Sequence, residues 1–473
     1  MRGGTSRRSI GYSTPTRRLA RKFARARAAA LELTRPSRSI LVLLPCAAIY
    51  AAQSSLGAAD ETPQQFAAHA QFTYIEQDTS GFHAPYGGPN SLTPSRGAET
   101  ADATLYLGAR IWRGAELWVS PEIDQGFGLD DTLGVAGFPS GEAYKVGKNK
   151  PYVRLQRLFV RQTVDLGGAQ ESVEPGALEL GGVRSADRLV LTVGKFSVPD
   201  VFDNNAYAHD PRSDFLNWAA IDAGTFDYAA DSWGYTVGAT LEWYRRSWVL
   251  RWGIFDLSEI PNSPDLEPAF HEFQLDAEAE KDFEIAGHPG RARVTGFDSR
   301  GRLGLLDQAV ALAQSTDTSV DIAAVRRYRS RLGASLDVEQ ELAAGLGLFA
   351  RAGKDQGNVE PYEFTDIDRT VSAGLSLAGA RWTRPDDTVG LAGILNGISG
   401  ERERYLNAGG LGILIGDGKL PRPGPEKIVE TYYSLSVLRY AHVTFDYQFI
   451  ADPAYNRDRG PVSVFTLRVH AQY

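Results

Sequence analysis

The stretch Phe465-Thr466-Leu467-Arg468-Val469-His470-Ala471-Gln472-Tyr473 alternates between apolar and polar side chains. Because successive side chains of a β-strand point to opposite faces, this period of two predicts a strand with one apolar and one polar face. The strand also finishes on an aromatic residue, as is typical of outer-membrane proteins whose insertion machinery reads such a strand. We expect Tyr473 to serve that recognition.

The same alternation returns along the chain from Phe66 onward. About fourteen such segments can be counted, each about ten residues long, which is the length that a tilted strand needs to cross a membrane. The clearest lie near 66–77, 103–111, 117–124, 235–243, 248–254, 329–339, 342–353, 369–378, 387–397, 430–438, 442–450 and 465–473. No apolar run reaches the roughly 18 to 20 residues of a membrane-crossing helix.

The connections between these segments alternate in length. Short ones fall near 112–115, 244–247, 339–342 and 438–442, and long ones near 78–100, 125–150, 197–231, 257–328, 398–429 and 451–461. Short turns on one side and long loops on the other are typical of an outer-membrane barrel, whereas a soluble sandwich has no reason to segregate its loops. Connection 257–328 has helical spacing around Leu303–Gln314, and it is long enough to contain another hairpin.

Backbone groups in lipid must all be paired, so a sheet can cross the membrane only as a closed barrel. The sequence therefore predicts an all-β, transmembrane, antiparallel up-and-down barrel with short periplasmic turns and long extracellular loops. Its apolar face meets lipid of the outer membrane, and its polar face lines an aqueous lumen. Trp112, Trp243 and Trp248 lie beside short turns, where they form either an interfacial aromatic girdle or ordinary packing contacts.

Residues 1–59 differ from the rest of the chain. They contain ten Arg and one Lys but a single acidic residue, Glu32. An apolar core beginning Ile40-Leu41-Val42-Leu43-Leu44 precedes small residues at 56–59. A basic region, a short apolar core and small residues predict an export signal that is cleaved, leaving residues 60–473 as the barrel domain. Its removal takes the formal charge from −8 to −18, which excludes nucleic acid as an expected partner.

The sequence gives little support for catalysis or for a cofactor. The single Cys46 excludes an internal disulfide, the seven His show no pair at metal-ligand spacing, and no Gly-x-Ser-x-Gly elbow occurs. We expect no enzyme activity, no cofactor and no metal. The acidic pairs Asp130-Asp131 and Asp366 with Asp368 could hold Ca²⁺, but solvated acids are the simpler interpretation.

Three phrases resemble the carbohydrate-selective porins of the OprB type. They lie in 191–257 (with Val201-Phe202-Asp203-Asn204-Asn205-Ala206-Tyr207), in Gly379-Ala380-Arg381-Trp382-Thr383-Arg384-Pro385-Asp386-Asp387, and in 430–461 (with Asp446-Tyr447-Gln448-Phe449-Ile450-Ala451-Asp452-Pro453). The likeness extends over nearly all of residues 60–473. It implies a barrel of sixteen strands with loops folded inward, conducting glucose and similar sugars. The fourteen counted strands are then two fewer than the sixteen that the resemblance implies. We expect the missing hairpin in 166–187, 197–231 or 257–328.

A sugar-selective pore needs aromatic rings for the C–H faces of the sugar and charged groups for its hydroxyls. Strand parity and the long connection 197–231 provide two groups of candidates for the pore lining or constriction. The first faces the lumen by parity and comprises Arg110, Trp118, Glu122, Asp124, Glu242 and Arg251. The second lies in the connection and comprises Asp203, Asp210, Arg212, Asp214 and Trp218. The alternative for each residue is solvation of a wide wall or stabilisation of the loop.

The expected function is therefore passive, carbohydrate-selective diffusion of small sugars such as glucose into the periplasm. The first alternative is a general, non-selective porin with the same barrel. An outer-membrane barrel enzyme and an exported carbohydrate-binding β-sandwich are rivals of other classes.

Overall fold

The structure is a computed structural model that describes residues 63–143 and 146–473. Sixteen antiparallel strands follow one another around a single barrel, which the pairing of the last strand with the first closes. The strands are β1 (Phe66–Thr79), β2 (Gly97–Trp112), β3 (Ala115–Gly126), β4 (Lys148–Val173), β5 (Gly182–Phe196), β6 (Thr236–Arg245), β7 (Trp248–Asp256), β8 (Phe273–Ile285), β9 (His288–Leu303), β10 (Arg327–Ala343), β11 (Leu346–Asp355), β12 (Arg369–Ala378), β13 (Thr388–Gly397), β14 (Glu426–Leu438), β15 (Ala441–Ala451) and β16 (Val462–Gln472).

Three α-helices lie in the longer connections. They are α1 (Trp218–Ile221), α2 (Leu306–Thr316) and α3 (Gly400–Asn407). The helix predicted around Leu303–Gln314 is thus confirmed as α2, shifted by two or three residues. None of the helices in the described part of the chain combines the length and the apolar character that a membrane-crossing helix needs.

The predicted alternation is confirmed along the strands. On β3, Glu122 and Asp124 point inward and are buried, whereas Ile123 between them points outward and is 47% exposed. The terminal stretch behaves in the same way, because Arg468 is fully buried while Phe465 is 55% exposed. Exposed apolar side chains on the outside and buried polar ones on the inside are the pattern of a barrel in lipid.

The missing hairpin lies in 257–328, which confirms one of the three regions expected to hold it. This segment contains β8 and β9, joined by a turn at Ala286 and Gly287, and these are the two strands missing from the count of fourteen. Two smaller boundaries differ. The β10–β11 turn lies at Ala344 and Gly345 rather than at 339–342, and the long connection 356–368 was not predicted.

The two ends of the barrel differ as predicted. Short turns join β2 to β3, β6 to β7, β8 to β9, β10 to β11 and β14 to β15 at one end, and the long connections gather at the other. Trp112 and Trp248 lie beside the short turns with at least half of their surface exposed, and Tyr473 packs edge-on against Tyr440 at the same end. These exposed rings form an aromatic girdle there.

The hairpin of β4 and β5 extends beyond the other short turns. β3 pairs with β4 only as far as Gln162, and β6 pairs with β5 only as far as Arg188, so the segment between them pairs only with itself. We call residues 166–185 the protruding hairpin. Gly167 and Gly168 both have positive φ, and the strand register slips beside them, so the ribbon bends there.

The bend returns the hairpin tip to the mouth of the barrel. The inward-facing Arg161 donates from Nη1 to the Leu178 carbonyl over 2.8 Å, and the Gln64 amide donates to the Gly181 carbonyl over 3.0 Å. Leu180 is buried as a result. The hairpin therefore narrows the short-turn end of the lumen.

The predicted export signal, residues 1–59, lies outside the described residues.

Candidate functional site

The connection between β5 and β6, residues 197–235, folds into the barrel and is called the inner loop. Two inward-facing wall arginines hold its carbonyl groups. Arg351 on β11 donates to the carbonyls of Ala220 (2.6 Å), Ala208 (2.9 Å) and Asp203 (3.3 Å). A single guanidinium thus holds three points of the loop in fixed positions.

Arg468 on β16 does the same on the other side of the barrel. Its guanidinium donates to the carbonyls of Pro211 (2.6 Å), Asp214 (2.9 Å) and Ser213 (3.0 Å). The loop is therefore anchored on two distant parts of the wall.

Wall carboxylates accept hydrogen bonds from the amide groups of the same loop. Glu430 on β14 accepts from the amides of Leu216 (2.5 Å) and Asn217 (3.1 Å). Glu278 on β8 accepts from the Asp203 amide over 2.8 Å. Backbone groups that would be unpaired inside the barrel are thus satisfied by inward-facing side chains.

Two further loops pack against the inner loop. In the β3–β4 loop, the Gly137 carbonyl accepts from the Asn217 side chain over 2.8 Å and the Phe138 carbonyl accepts from the Trp218 amide over 3.1 Å. Glu426 on β14 holds the same loop by accepting from the amides of Ala136 and Gly137. Asp227 of the inner loop accepts from four successive amides of the β11–β12 loop, residues 362–365. The loops consequently fill much of the lumen but leave cavities between themselves and the wall, including one of about 380 Å³ and one of about 350 Å³.

The larger cavity has a volume of about 380 Å³, within the range of small-molecule sites. It extends from Asn262 and Leu414 in the long loops to Ala177 and Leu178 in the protruding hairpin, so it runs toward both ends of the barrel.

Aromatic rings form one side of this cavity. The Trp218 indole lies parallel to the Phe138 ring with centroids 5.5 Å apart, and Phe364 meets it edge-on at 4.9 Å. Tyr228 packs edge-on against Phe364 at 4.6 Å. The indole Nε1 of Trp218 is buried and has no hydrogen-bond partner in the described part of the chain.

Two arginines and their acidic partners form another part of the cavity wall. Arg157 on β4 pairs with Asp200 over 2.7 Å. Arg212 lies 3.3 Å from Glu142 and 3.2 Å from Asp210, and its Nη1 donates to the Tyr106 hydroxyl over 3.2 Å. Nearby carboxylates thus compensate the charge of both guanidinium groups, which keep some N–H groups free to donate to a solute.

Burial shifts the protonation of several loop groups. It raises the pKa of Glu142 to about 7, although nearby Arg212 acts in the opposite direction. Burial also lowers the pKa of His209 to about 4, with Arg351 adding to the effect, so that this imidazole is neutral at pH 7. The pKa of Asp210 is lowered because Arg212 and its backbone amide favour the carboxylate and outweigh the cost of burial.

The sequence matches a family model over residues 90–473, and the description of that family is carbohydrate-selective porin, OprB family. This match extends over most of the chain.

The chain belongs to the OprB porin family.

A solved structure supports the fold. The chain is similar to the high-pH structure of OprB from Pseudomonas putida, with 15% identity, a TM-score of 0.65, and coverage of 86% of this chain and 94% of that one. It also matches the outer membrane channel DcaP of Acinetobacter baumannii, with 9% identity, a TM-score of 0.48, and coverage of 86% and 97%. A comparison with curated proteins gives no match. The OprB-family chain is a porin of the bacterial outer membrane, with its short turns periplasmic and its long loops extracellular.

Four of the predicted site residues of this porin line the larger cavity. They are Glu122 on β3 and Asp210, Arg212 and Trp218 in the inner loop. Glu122 is held by Gln156, which donates to it over 2.8 Å, and by Thr104 over 2.5 Å.

Two others, Glu242 and Arg251, line the second cavity. It has a volume of about 350 Å³ and lies between the inner loop and the periplasmic ends of β5 to β9. Arg251 binds Glu242, Glu278 and Glu280 at 3.2, 2.6 and 3.0 Å, so its charge is shared among three carboxylates. Asp200 borders both cavities.

The remaining five candidates border neither cavity. Trp118 has no exposed surface, because its indole lies against Gly108 on the neighbouring strand and occupies the space that a side chain there would take. Its Nε1 donates to the Glu116 carboxylate over 3.1 Å. Arg110 lies near the periplasmic end, where its Nε donates to the Gln64 carbonyl over 3.2 Å.

Asp124 lies opposite Asp102 on the neighbouring strand and is fully buried. Asp203 accepts from the Ala223 amide over 2.5 Å, and Asp214 accepts from the His209 and Asp210 amides over 3.1 Å each. Asp203 and Asp214 therefore shape the inner loop from within.

Several cavity residues were not among the sequence candidates. Tyr106 faces inward by simple parity and could have been included. Arg157 could not, because a register slip between β3 and β4 places Gln156 and Arg157 side by side on the inner face. The alternation in 235–243 places Tyr235 on the apolar, outward face together with Val237 and Leu241, and this prediction is wrong. Tyr235 lies just before β6, is buried, and borders the cavity.

Three of the four acids considered as Ca²⁺ ligands have other partners. Asp366 and Asp368 pair with Arg402 at 3.0 and 2.7 Å, and Asp130 accepts from the Thr93 amide. Within residues 63–143 and 146–473, no three His, Cys, Asp or Glu side chains are grouped so as to hold a metal ion.

Proposed function

We propose that this porin passes small neutral sugars, glucose among them, into the periplasm by passive diffusion through the larger cavity. The observation that carries the proposal is the pairing of two surfaces in one cavity. The rings of Trp218 and Tyr228 lie on its wall together with the neutralised guanidinium groups of Arg157 and Arg212.

These two surfaces suit the two sides of a sugar. A pyranose presents C–H groups on its faces, which pack on aromatic rings, and hydroxyl groups on its rim, which exchange hydrogen bonds with charged side chains. Trp218 offers a further donor, because its buried Nε1 has no partner in the described residues. Each contact replaces one made with water, so the net attraction stays small enough for the sugar to leave.

Charge compensation favours neutral solutes over ions. Arg157 and Arg212 are each within 3.3 Å of a carboxylate, so an entering anion would have to displace an existing ion pair. A neutral sugar can instead accept from the remaining N–H groups and donate to the carboxylate oxygens.

The remaining candidates take supporting roles in the proposal. Glu122 borders the passage beside Arg157, whereas Glu242 and Arg251 line the second, periplasmic cavity that a sugar reaches next. Asp210 holds Arg212 in place, and Asp203 and Asp214 keep the inner loop in shape. Trp118, Asp124 and Arg110 stabilise the wall.

Purified protein in a planar lipid bilayer tests the proposal. Glucose added to one side should reduce the ion current in a saturable manner, and Arg212→Gln should weaken this block about tenfold, the loss expected for about 1.4 kcal/mol of charged hydrogen bonding. Arg113→Gln, in an exposed periplasmic turn, is the matched control and should behave like the wild type. An ion current that glucose leaves unchanged would instead identify a general porin.

We also propose that residues 1–59 are removed on export and that the strand ending at Tyr473 is read by the outer-membrane insertion machinery. The pairing of Ala70 with Tyr473, at 2.8 and 2.9 Å, supports the second point because this strand closes the barrel. The mass of the protein isolated from the outer membrane tests the first proposal, because removal of residues 1–59 predicts the mass of residues 60–473, and the mass of the full chain would contradict it. Removal of Tyr473 should slow assembly into the membrane, and unchanged assembly would contradict the second.

A further inference from the structure

Basic side chains cluster on the outer face of the barrel at its extracellular end. Arg300 and Arg302 lie on β9, Lys354 on β11 and Arg369 on β12, and all four are exposed. Each alternates along its strand with a buried neighbour, so each points away from the lumen. We call these four residues the basic belt.

The basic belt lies at the upper edge of the apolar surface. On β12 the outward residues on the periplasmic side of Arg369 are Val371, Ala373, Leu375 and Leu377, and Leu377 lies near the periplasmic end of the strand. About eight residues at about 3.3 Å each, on a strand tilted by about 40°, give a height of about 20 Å. Because the apolar band of such barrels is about 25 Å tall, the Arg369 backbone lies about 5 Å below its upper edge, and the long side chain can extend the remaining distance to the extracellular headgroup region.

No close ion pair neutralises the belt. In the described residues no carboxylate lies within ion-pair distance of any of the four side chains, although Glu272 and Arg302 attract each other at longer range. Lys354 and Arg369 are directly opposite each other on neighbouring strands, an arrangement that costs free energy unless an anion lies between them. By contrast Lys427, which also faces outward, is paired with Asp452 at 2.6 Å.

The charge of the outer face differs between pairs of strands. Across the barrel, at the extracellular end of β1 and β2, the directly opposed residues Glu76 and Glu99 are negatively charged, and they leave no basic residue beside them in the register. The four belt residues, which lack close acidic partners, are thus a local concentration of positive charge on a chain whose formal net charge is −8. Such a concentration creates a local attraction for anions.

An aromatic ring completes the patch. Tyr328 on β10 is directly opposite Arg302, is 51% exposed, and lies 5.9 Å from the Arg300 guanidinium. Its hydroxyl donates to the His271 carbonyl over 2.9 Å, which fixes the ring at the membrane interface. A ring between two arginines can pack against a sugar whose phosphates the arginines bind.

We propose that the basic belt binds the phosphate groups of an outer-leaflet glycolipid. Arginine binds phosphate through two parallel hydrogen bonds, and lysine binds it as a point charge. The apolar strip directly below, with Val294, Leu332 and Val371 each more than half exposed, accepts the acyl chains of the same molecule. A ligand that carries phosphates at the headgroup level and acyl chains in the membrane covers both surfaces. A second copy of the barrel would leave the basic belt unpaired unless its acidic residues Glu76 and Glu99 lay against the belt.

Lipid A with both phosphates, its dephosphorylated form and inorganic phosphate are the probes, offered to the full-length mature porin in detergent micelles. The variant replaces Arg300, Arg302, Lys354 and Arg369 with Gln. The matched control replaces four exposed basic residues outside the belt, Arg113, Lys148, Lys150 and Arg439, with Gln. Channel conductance checks folding, because none of these eight side chains borders either of the two cavities.

The wild type and the control should retain bisphosphorylated lipid A, measured by native mass spectrometry, with an affinity at least tenfold above that of the belt variant. Dephosphorylated lipid A should bind the wild type no better than it binds the variant, and inorganic phosphate should not displace the lipid at equal concentration. Equal binding to wild type and variant would overturn the proposal, as would displacement by inorganic phosphate. A change of oligomeric state in the variant with unchanged lipid binding would also overturn it and would assign the belt to contacts between copies.

Discussion

Replacing Arg468 with methionine is expected to loosen the tip of the inner loop while leaving the barrel closed. Arg468 holds the carbonyls of Pro211, Ser213 and Asp214, the residues that flank Arg212 in the cavity wall. Methionine fills a similar volume but cannot donate, so the three carbonyls lose their common partner.

The magnitude follows from the three contacts. A hydrogen bond from a charged donor contributes about 1.5–3 kcal/mol, but bonds that share one guanidinium are not additive, so about 3 kcal/mol is a conservative loss. That loss makes the detached loop about 100-fold more populated than in the wild type. Detachment moves Arg212 away from Tyr106 and widens the passage.

Single-channel recording in planar bilayers measures the effect. Arg468→Met should raise the conductance, add current noise and weaken the glucose block by about tenfold or more. Arg468→Lys should give a smaller change, because an ammonium group can still donate to some of the carbonyls although it cannot reach all three. Arg439→Met, in an exposed periplasmic turn, should have no effect. Wild-type conductance and glucose block in Arg468→Met would refute the role of this arginine as the loop anchor.

Three further changes have defined outcomes. Trp218→Leu should weaken the glucose block about two- to tenfold through loss of ring contact, whereas Trp248→Leu on the outer surface should not. Burial raises the pKa of Glu142 to about 7, so lowering the pH from about 8 to about 6 adds a proton and removes a negative charge. A unit charge about 7 Å away contributes about 0.6 kcal/mol in water, with opposite sign for a cation and for an anion, so the cation-to-anion permeability ratio should fall about sevenfold, which corresponds to about 1.2 kcal/mol. Glu142→Gln should abolish this pH effect. Replacing residues 171–184 with an Asn-Gly turn should raise the conductance, since Ala177 and Leu178 no longer line the passage, and an unchanged conductance would show that the protruding hairpin does not limit flow.

The strand pattern was predictable wherever outward residues are apolar. β3 and β16 show this, since each outward Ile, Leu, Val or Phe alternates with a polar residue. The hairpin of β8 and β9 could be predicted only as one of three alternatives, because its outer face is unusual. Near the extracellular end of β9 the outward residues are Gly296, Asp298, Arg300 and Arg302, which give no apolar period to detect.

The site was only partly predictable. Parity places Glu122 and Arg251 inside the barrel, but it cannot tell which inward side chains the loops will cover. Trp118 is covered, whereas Trp218 borders the cavity, and the difference depends on contacts between segments far apart in sequence. Arg157 reaches the cavity only because of a local register slip, which a strict period of two does not reveal.

Cysteine labelling at two neighbouring positions of β3 tests most directly whether the polar face lines a sugar passage. In the mature porin, Glu122→Cys should react with a water-soluble, membrane-impermeant thiol reagent, the reaction should reduce the ion current, and glucose should slow it. Ile123→Cys, which points outward, should react only with a lipophilic reagent and leave the current unchanged. Equal reactivity of the two variants, or labelling of the Glu122→Cys variant at the same rate with and without glucose, would contradict a sugar passage along this wall.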